Sequence, residues 1–182
     1  LGDLYLKKGD QKNAVESFHQ AARFFINEGF SHKALGLYKK ILNINPSDAD
    51  SFFALGQINE EKGLKIDAIK YYRSAADSLS KEGKKEKLLE IYDKIIALSP
   101  SNIPFRVKVA EIYTKEGLNS DAAREYFKIA RLYEEKEETD KSLEYYQKSL
   151  EIQPTNKEAV IGLTHLYEKT GNLDLAIEQI KS

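Results

Sequence analysis

The chain has 182 residues, 41% of them hydrophobic and 31% charged, which allows a real core beneath a well-solvated surface. Lys+Arg at 28 against Asp+Glu at 29 leaves a formal charge of −1, so no global field draws the chain to nucleic acid or an anionic membrane. No apolar run approaches the roughly 20 residues of a bilayer span, no signal peptide opens the chain, and the absence of cysteine excludes disulfides and thiolate chemistry.

Methionine is absent as well, so Leu1 does not read as a native start and the chain is expected to be an excerpt of a longer protein. In chain order, a truncated first helix is predicted over Leu1 to Lys8, with Gly9 supplying the left-handed residue that ends it. A second helix follows from Lys12 to Glu28. On it Ala14, Phe18, Ala21, Ala22 and Phe25 form one broad apolar arc at helical spacing, widened by Val15 and Ile26. A helix so apolar needs partners both before and after it. The third helix, Ser31 to Asn43, stops before Asn45-Pro46, because proline cannot continue it. Further helices are predicted near Asp50 to Lys62, Asp67 to Glu82, Lys84 to Leu98, Ile103 to Glu116, Ser120 to Lys136, Asp140 to Ile152, Asn156 to Thr170 and Leu173 to Lys181. No stretch alternates with period two, so no strand is predicted. Short connections make consecutive helices antiparallel.

Compared with itself, the sequence repeats every 54 residues without a gap. Gly9, Gly63, Gly117 and Gly171 coincide, as do Ala14, Ala68, Ala122 and Ala176, then Tyr38, Tyr92 and Tyr146, then Pro46, Pro100 and Pro154. Only Pro104 falls outside this register, in a first helical turn where its missing N–H is tolerated. A shorter echo carries Gly2, Tyr5, Gly9, Ala14 and Phe18 onto Ala22, Phe25, Gly29, Ala34 and Tyr38, 20 residues on. The long second helix of each repeat is therefore shared between two overlapping helix hairpins. The expected repeats are 1–46, 47–100, 101–154 and a partial 155–182, together forming one repeat domain.

These residues resemble the tetratricopeptide repeat (TPR) family. Leu55-Gly56, Gly63, Ala68, Tyr72 and Ala75 match the first part of its 34-residue pattern, and Ala110, Tyr113, Gly117, Ala122 and Tyr126 match it again. Ala76, Gly83, Tyr92 and Pro100 match an overlapping motif that closes on the proline. Departures are the absence of tryptophan, Asn59 in an aromatic position, Glu137 in place of a glycine and Thr164 in place of a small residue. Glu137 suggests that the long helix of the third repeat ends differently. Shared helices look like those of long-helix TPR relatives in membrane-fusion adaptor proteins, so superhelix pitch is left open. The resemblance implies an all-α, right-handed α-solenoid of antiparallel helices, about eleven in number, whose groove binds a peptide or partner helix.

The small residues allow close helix approach, and the 11 tyrosines, in register with phenylalanines, are read as core rather than as a recognition stripe. Groove chemistry must then come from solvent-facing positions that vary between repeats: Arg23, Asn27, Gln57, Glu61, Asp77, Glu111, Lys115, Arg131, His165 and Lys169. The competing reading is an ordinary solvated face with pairs such as Glu111 with Lys115. The fixed Lys, Asn and Arg set with which some TPR proteins clamp a C-terminal carboxylate is not found. A basic stretch from Lys81 to Lys87 and an acidic one from Glu134 to Glu138 read first as solvated helix ends. His19, His32 and His165 have no carboxylate or second histidine at ligand spacing, and no glycine-rich phosphate loop appears. No metal, cofactor or catalytic activity is expected. The resulting expectation is a protein–protein interaction scaffold, with cytoplasmic placement favoured. The alternatives are a structural array that associates with itself through uncapped ends and a regulatory repeat domain of a larger protein.

Overall fold

The computed structural model describes residues 1–181, with side chains as far as Glu178; Ser182, the end of the expected fourth repeat, lies outside the described residues. Those residues are all-α. The eleven helices among them are α1 (Gly2–Lys7), α2 (Gln11–Asn27), α3 (Ser31–Ile44), α4 (Ala49–Glu61), α5 (Lys65–Glu82), α6 (Lys85–Leu98), α7 (Ile103–Lys115), α8 (Asn119–Glu134), α9 (Thr139–Ile152), α10 (Lys157–Lys169) and α11 (Leu173–Lys181). By their contacts the helices gather into two compact modules, α1 to α6 and α7 to α11.

In the first module each helix packs on the next, so α2 touches both α1 and α3, and α5 touches both α4 and α6. In the second, α8 packs on both α7 and α9 and also reaches α10. The shared role expected of the long helices is thus realised three times. Its cause is the apolar arc. Ala14, Phe18 and Ala22 of α2 are buried in one cluster with Ala34, Tyr38 and Ile41 of α3 and Leu55 and Ile58 of α4. Ala122, Tyr126 and Ile129 of α8 form a second cluster with Ile103 and Ala110 of α7. Ala130, on the same helix, joins a third with Tyr146 of α9 and Leu163 of α10. Alanine at the crossing points brings two backbones together, and the aromatics fill the wedge between turns.

Gly56 shows how close that approach is. A Cβ added there would stand 2.5 Å from the buried Tyr72 ring, a distance no real side chain keeps.

The helix ends are set locally. Asp10, Asp48 and Asn156 cap α2, α4 and α10 by accepting the backbone N–H of Asn13, Ser51 and Ala159; such caps each contribute about 1 kcal/mol. At the other end, Gly83 closes α5 in the left-handed conformation at φ 71°. Here one expectation is corrected. Glu137, instead of ending α8 differently, takes the same left-handed place at φ 60°, and the Glu138 N–H donates back to the Tyr133 carbonyl at 3.0 Å. The tertiary fold and the 6→1 hydrogen bond hold a glutamate where the register asks for glycine. The other two substitutions differ in outcome. Asn59 is buried and donates to the Leu55 carbonyl at 2.7 Å, whereas the Thr164 hydroxyl oxygen is buried without a hydrogen-bond partner.

Candidate functional site

All ten sequence-selected residues lie exposed on the helices: Arg23 and Asn27 on α2, Gln57 and Glu61 on α4, Asp77 on α5, Glu111 and Lys115 on α7, Arg131 on α8, His165 and Lys169 on α10. The apolar arcs take the other faces inward and leave these positions outward. Four of the ten converge in the first module. Arg23, Asn27, Gln57 and Glu61 rim an open cleft of about 320 Å³ whose floor is Ile26, Tyr38, Ala54 and Ile58. It holds a cation, a carboxylate and two side-chain amides over an apolar base. Both amides can donate and accept, as an extended peptide backbone requires.

A second cleft of about 560 Å³ shares Arg23 and continues along α2 past Glu16 and His19 to Asp48 and Asp50. Here the fold supplies a partner that sequence spacing did not reveal. His19 Nε2 lies 3.0 Å from Asp48 Oδ1, with both side chains nearly buried. Burial pushes the Asp48 carboxyl up, but hydrogen bonds from His19 and Ser51 outweigh it and hold the group below the usual carboxylate range. His19 thus ties α2 to the capped start of α4.

In the second module Glu134 gathers two further candidates. Its Oε2 accepts the Tyr146 hydroxyl at 2.8 Å and lies 3.7 Å from Arg131, and its Oε1 lies 3.8 Å from His165. The first module repeats the bond: the Tyr72 hydroxyl donates to Glu60 at 2.5 Å, with Lys94 3.6 Å from the same oxygen. Burial first, and then the carboxylate, pushes both phenols well above their usual range. Both glutamates stand twelve residues before their tyrosine. That repeated spacing was the one available signal for them.

Arg131 also lines a cleft of about 520 Å³ with Arg106, Phe127, Lys128, Leu132 and Glu135. Arg106 is committed elsewhere: its guanidinium reaches Glu125 at 2.6 Å and the Pro100 carbonyl at 2.9 Å, while Lys128 also meets Glu125 at 2.6 Å. The pair is nearly buried, with 11% and 9% side-chain exposure. Asp77 stands on a separate face of α5. Glu111 and Lys115 make no ion pair with each other among the described residues, and Lys169 closes α10. Among those residues no helix is long and apolar enough to cross a membrane, and no three His, Asp or Glu residues form a group that could hold a metal ion.

Two models described as tetratricopeptide repeat match the sequence, one over residues 1–82 and the other over residues 123–156. The chain is similar to the protein CTR9 homolog of Arabidopsis thaliana, 29% identical over 114 residues that cover 54% of this chain and 10% of that protein. It therefore spans only about a tenth of that relative's length. Among solved structures it resembles BtubC (BKLC) from P. vanneervenii, at 17% identity and a TM-score of 0.49, covering 97% of this chain and 81% of that one. A putative kinesin light chain with TPR-like repeats from Podosopora anserina gives 16% identity and a TM-score of 0.48, with 92% of each chain covered.

Proposed function

The chain belongs to the tetratricopeptide repeat family, whose arrays are protein-interaction scaffolds, and on that premise we propose that it holds an extended segment of a partner protein in the α2–α4 cleft. The observation that carries this reading is the meeting of Arg23, Asn27, Gln57 and Glu61 over the Ile26, Tyr38, Ala54 and Ile58 floor. Asn27 and Gln57 would bracket the partner backbone, and the apolar floor would take a small or aliphatic side chain. Arg23 and Glu61, of opposite sign, would fix the direction in which the segment runs. The helices packed beneath are already ordered, so binding costs the scaffold little conformational entropy. In this reading the array is non-catalytic, and a cytoplasmic setting belongs to the same proposal.

A randomised ten-residue peptide library selected on the chain tests it. Enriched peptides should lose at least tenfold in affinity on Arg23→Ala/Glu61→Ala, with helicity unchanged by circular dichroism. Selection on the unsubstituted chain that yields no peptide weakened by that double substitution, or no enrichment at all, contradicts the cleft assignment.

A further inference from the structure

The shared helix α5 carries an exposed aliphatic side chain, Ile66, that the register does not repeat, although the exposed Leu64 before it recurs as Leu118. Ile66 is 85% exposed, and Leu64 just before the helix is 48% exposed. The 54-residue register sets Lys12, Ser120 and Asp174 at the place of Ile66, so the repeat itself needs no aliphatic side chain there. The packing of α5 is done by its other arc, where Ala68, Tyr72, Ala75 and Ala76 are buried. Next to Ile66 along the exposed face come Ile69, Lys70, Arg73, Ser74 and Asp77, which together line an open cleft of about 420 Å³. Aliphatic surface at the amino-terminal end thus passes into Lys70 one turn later, with Arg73 and Asp77 beyond it.

We propose that this stripe of α5 is a second docking subsite, for a partner segment carrying an aliphatic side chain and, two residues on, an acidic one. The inference rests on the scaffold reading above. Charge and spacing argue for this occupant together. Ile66 and Lys70 are four residues apart, about 6 Å along a helix, and alternate side chains of an extended segment stand about 6.6 Å apart on one face. An aliphatic group seated on Ile66 and Ile69 would bring a carboxylate at the second residue to Lys70. A basic residue at that place would face the like charge of Lys70 and be disfavoured.

The experiment selects the same peptide library on the full chain carrying Arg23→Ala/Glu61→Ala, which blanks the first cleft. Enrichment of aliphatic-x-Asp or aliphatic-x-Glu sequences is expected, and the best of them should bind at least tenfold more weakly to a chain that also carries Ile66→Ser. Adding Lys70→Glu instead should shift selection toward aliphatic-x-Lys. Both side chains lie outside the core, so unchanged helicity and melting separate loss of binding from loss of fold. Selection of no such motif, or a best peptide indifferent to Ile66→Ser, overturns the α5 subsite. The double-substituted chain reports only on α5, and the unsubstituted chain still reports on the α2–α4 cleft, so either assignment can fail alone.

Discussion

Helices α5 and α8 occupy the same place in successive repeats, and they differ in nearly everything except the face they bury. Ala68 with Ala122, Tyr72 with Tyr126, and Ala76 with Ala130 are buried pairs in register. Around that constant arc the modules diverge. Arg106 and Glu125 form a nearly buried ion pair where the register sets Phe52 and Tyr71 in the first module. Ala110 stands where Gly56 admits the Tyr72 ring, and Glu137 stands where Gly83 closes α5. The repeat therefore constrains one stripe of each shared helix and leaves the cap, the flanks and the outward face free to vary. On the proposed reading, those free positions are where a partner is recognised.

The largest expected effect comes from breaking the ion pair. Arg106→Ala leaves Glu125 nearly buried with Lys128 as its remaining partner, and should cost about 3 kcal/mol, the lower end for a broken buried pair. Arg106→Phe together with Glu125→Tyr, which copies the first module, should be close to neutral or stabilising. Chemical denaturation of the three proteins checks this, and a double substitution as damaging as the single one would show that the pair is needed for more than filling space.

Gly56→Ala should come next, at about 1–3 kcal/mol, because the added Cβ meets a Tyr72 ring that has no room to retreat. Its counterpart Ala110 lies against Tyr126, which keeps 8% exposure. Glu137→Gly runs the other way. Relief of the left-handed strain should stabilise by about 1 kcal/mol, with Gly83→Glu losing a similar amount. For a chain of this size that is a shift of about 2–4 °C in Tm, within reach of calorimetry.

The smallest effect is in the acid limb. Asp48 has a folded pKa held below its unfolded value of 3.8, so its contribution is present above that value and is lost as pH falls through the folded pKa. The register sets Asn102 at its place in the second module. Asp48→Asn should therefore flatten the decline in stability below about pH 4, while its amide oxygen can still accept the Ser51 N–H. An unchanged acid slope in urea titrations would mean that other carboxylates set it.

Much of the fold was legible because the signal was repeated. The helices, their shared packing and the closing glycines follow from small and aromatic residues returning every 54 positions. What escaped was what occurs once. His19 meets Asp48 only because the turn after α3 brings the start of α4 beside α2, and Arg106 meets Glu125 across α7 and α8. Neither contact has a sequence spacing that marks it. Glu137 misled because a local rule about glycine was overridden by the hydrogen bonds that close α8. The candidate surface lay between these cases. Outward positions were readable from the helical period, but only the fold shows Arg23, Asn27, Gln57 and Glu61 in one cleft and Asp77 on another face.

We propose that these varied outward positions, and not the repeated packing stripe or the helix ends, meet the partner. Backbone amide NMR of the isotope-labelled chain, titrated with a library-selected peptide, measures this most directly. Shifts should concentrate on Arg23, Asn27, Gln57 and Glu61, extending along α5 from Ile66 to Asp77 for peptides carrying the aliphatic-x-acid motif. Shifts confined to the opposite helix faces or to the ends of α1 and α11 would contradict the account.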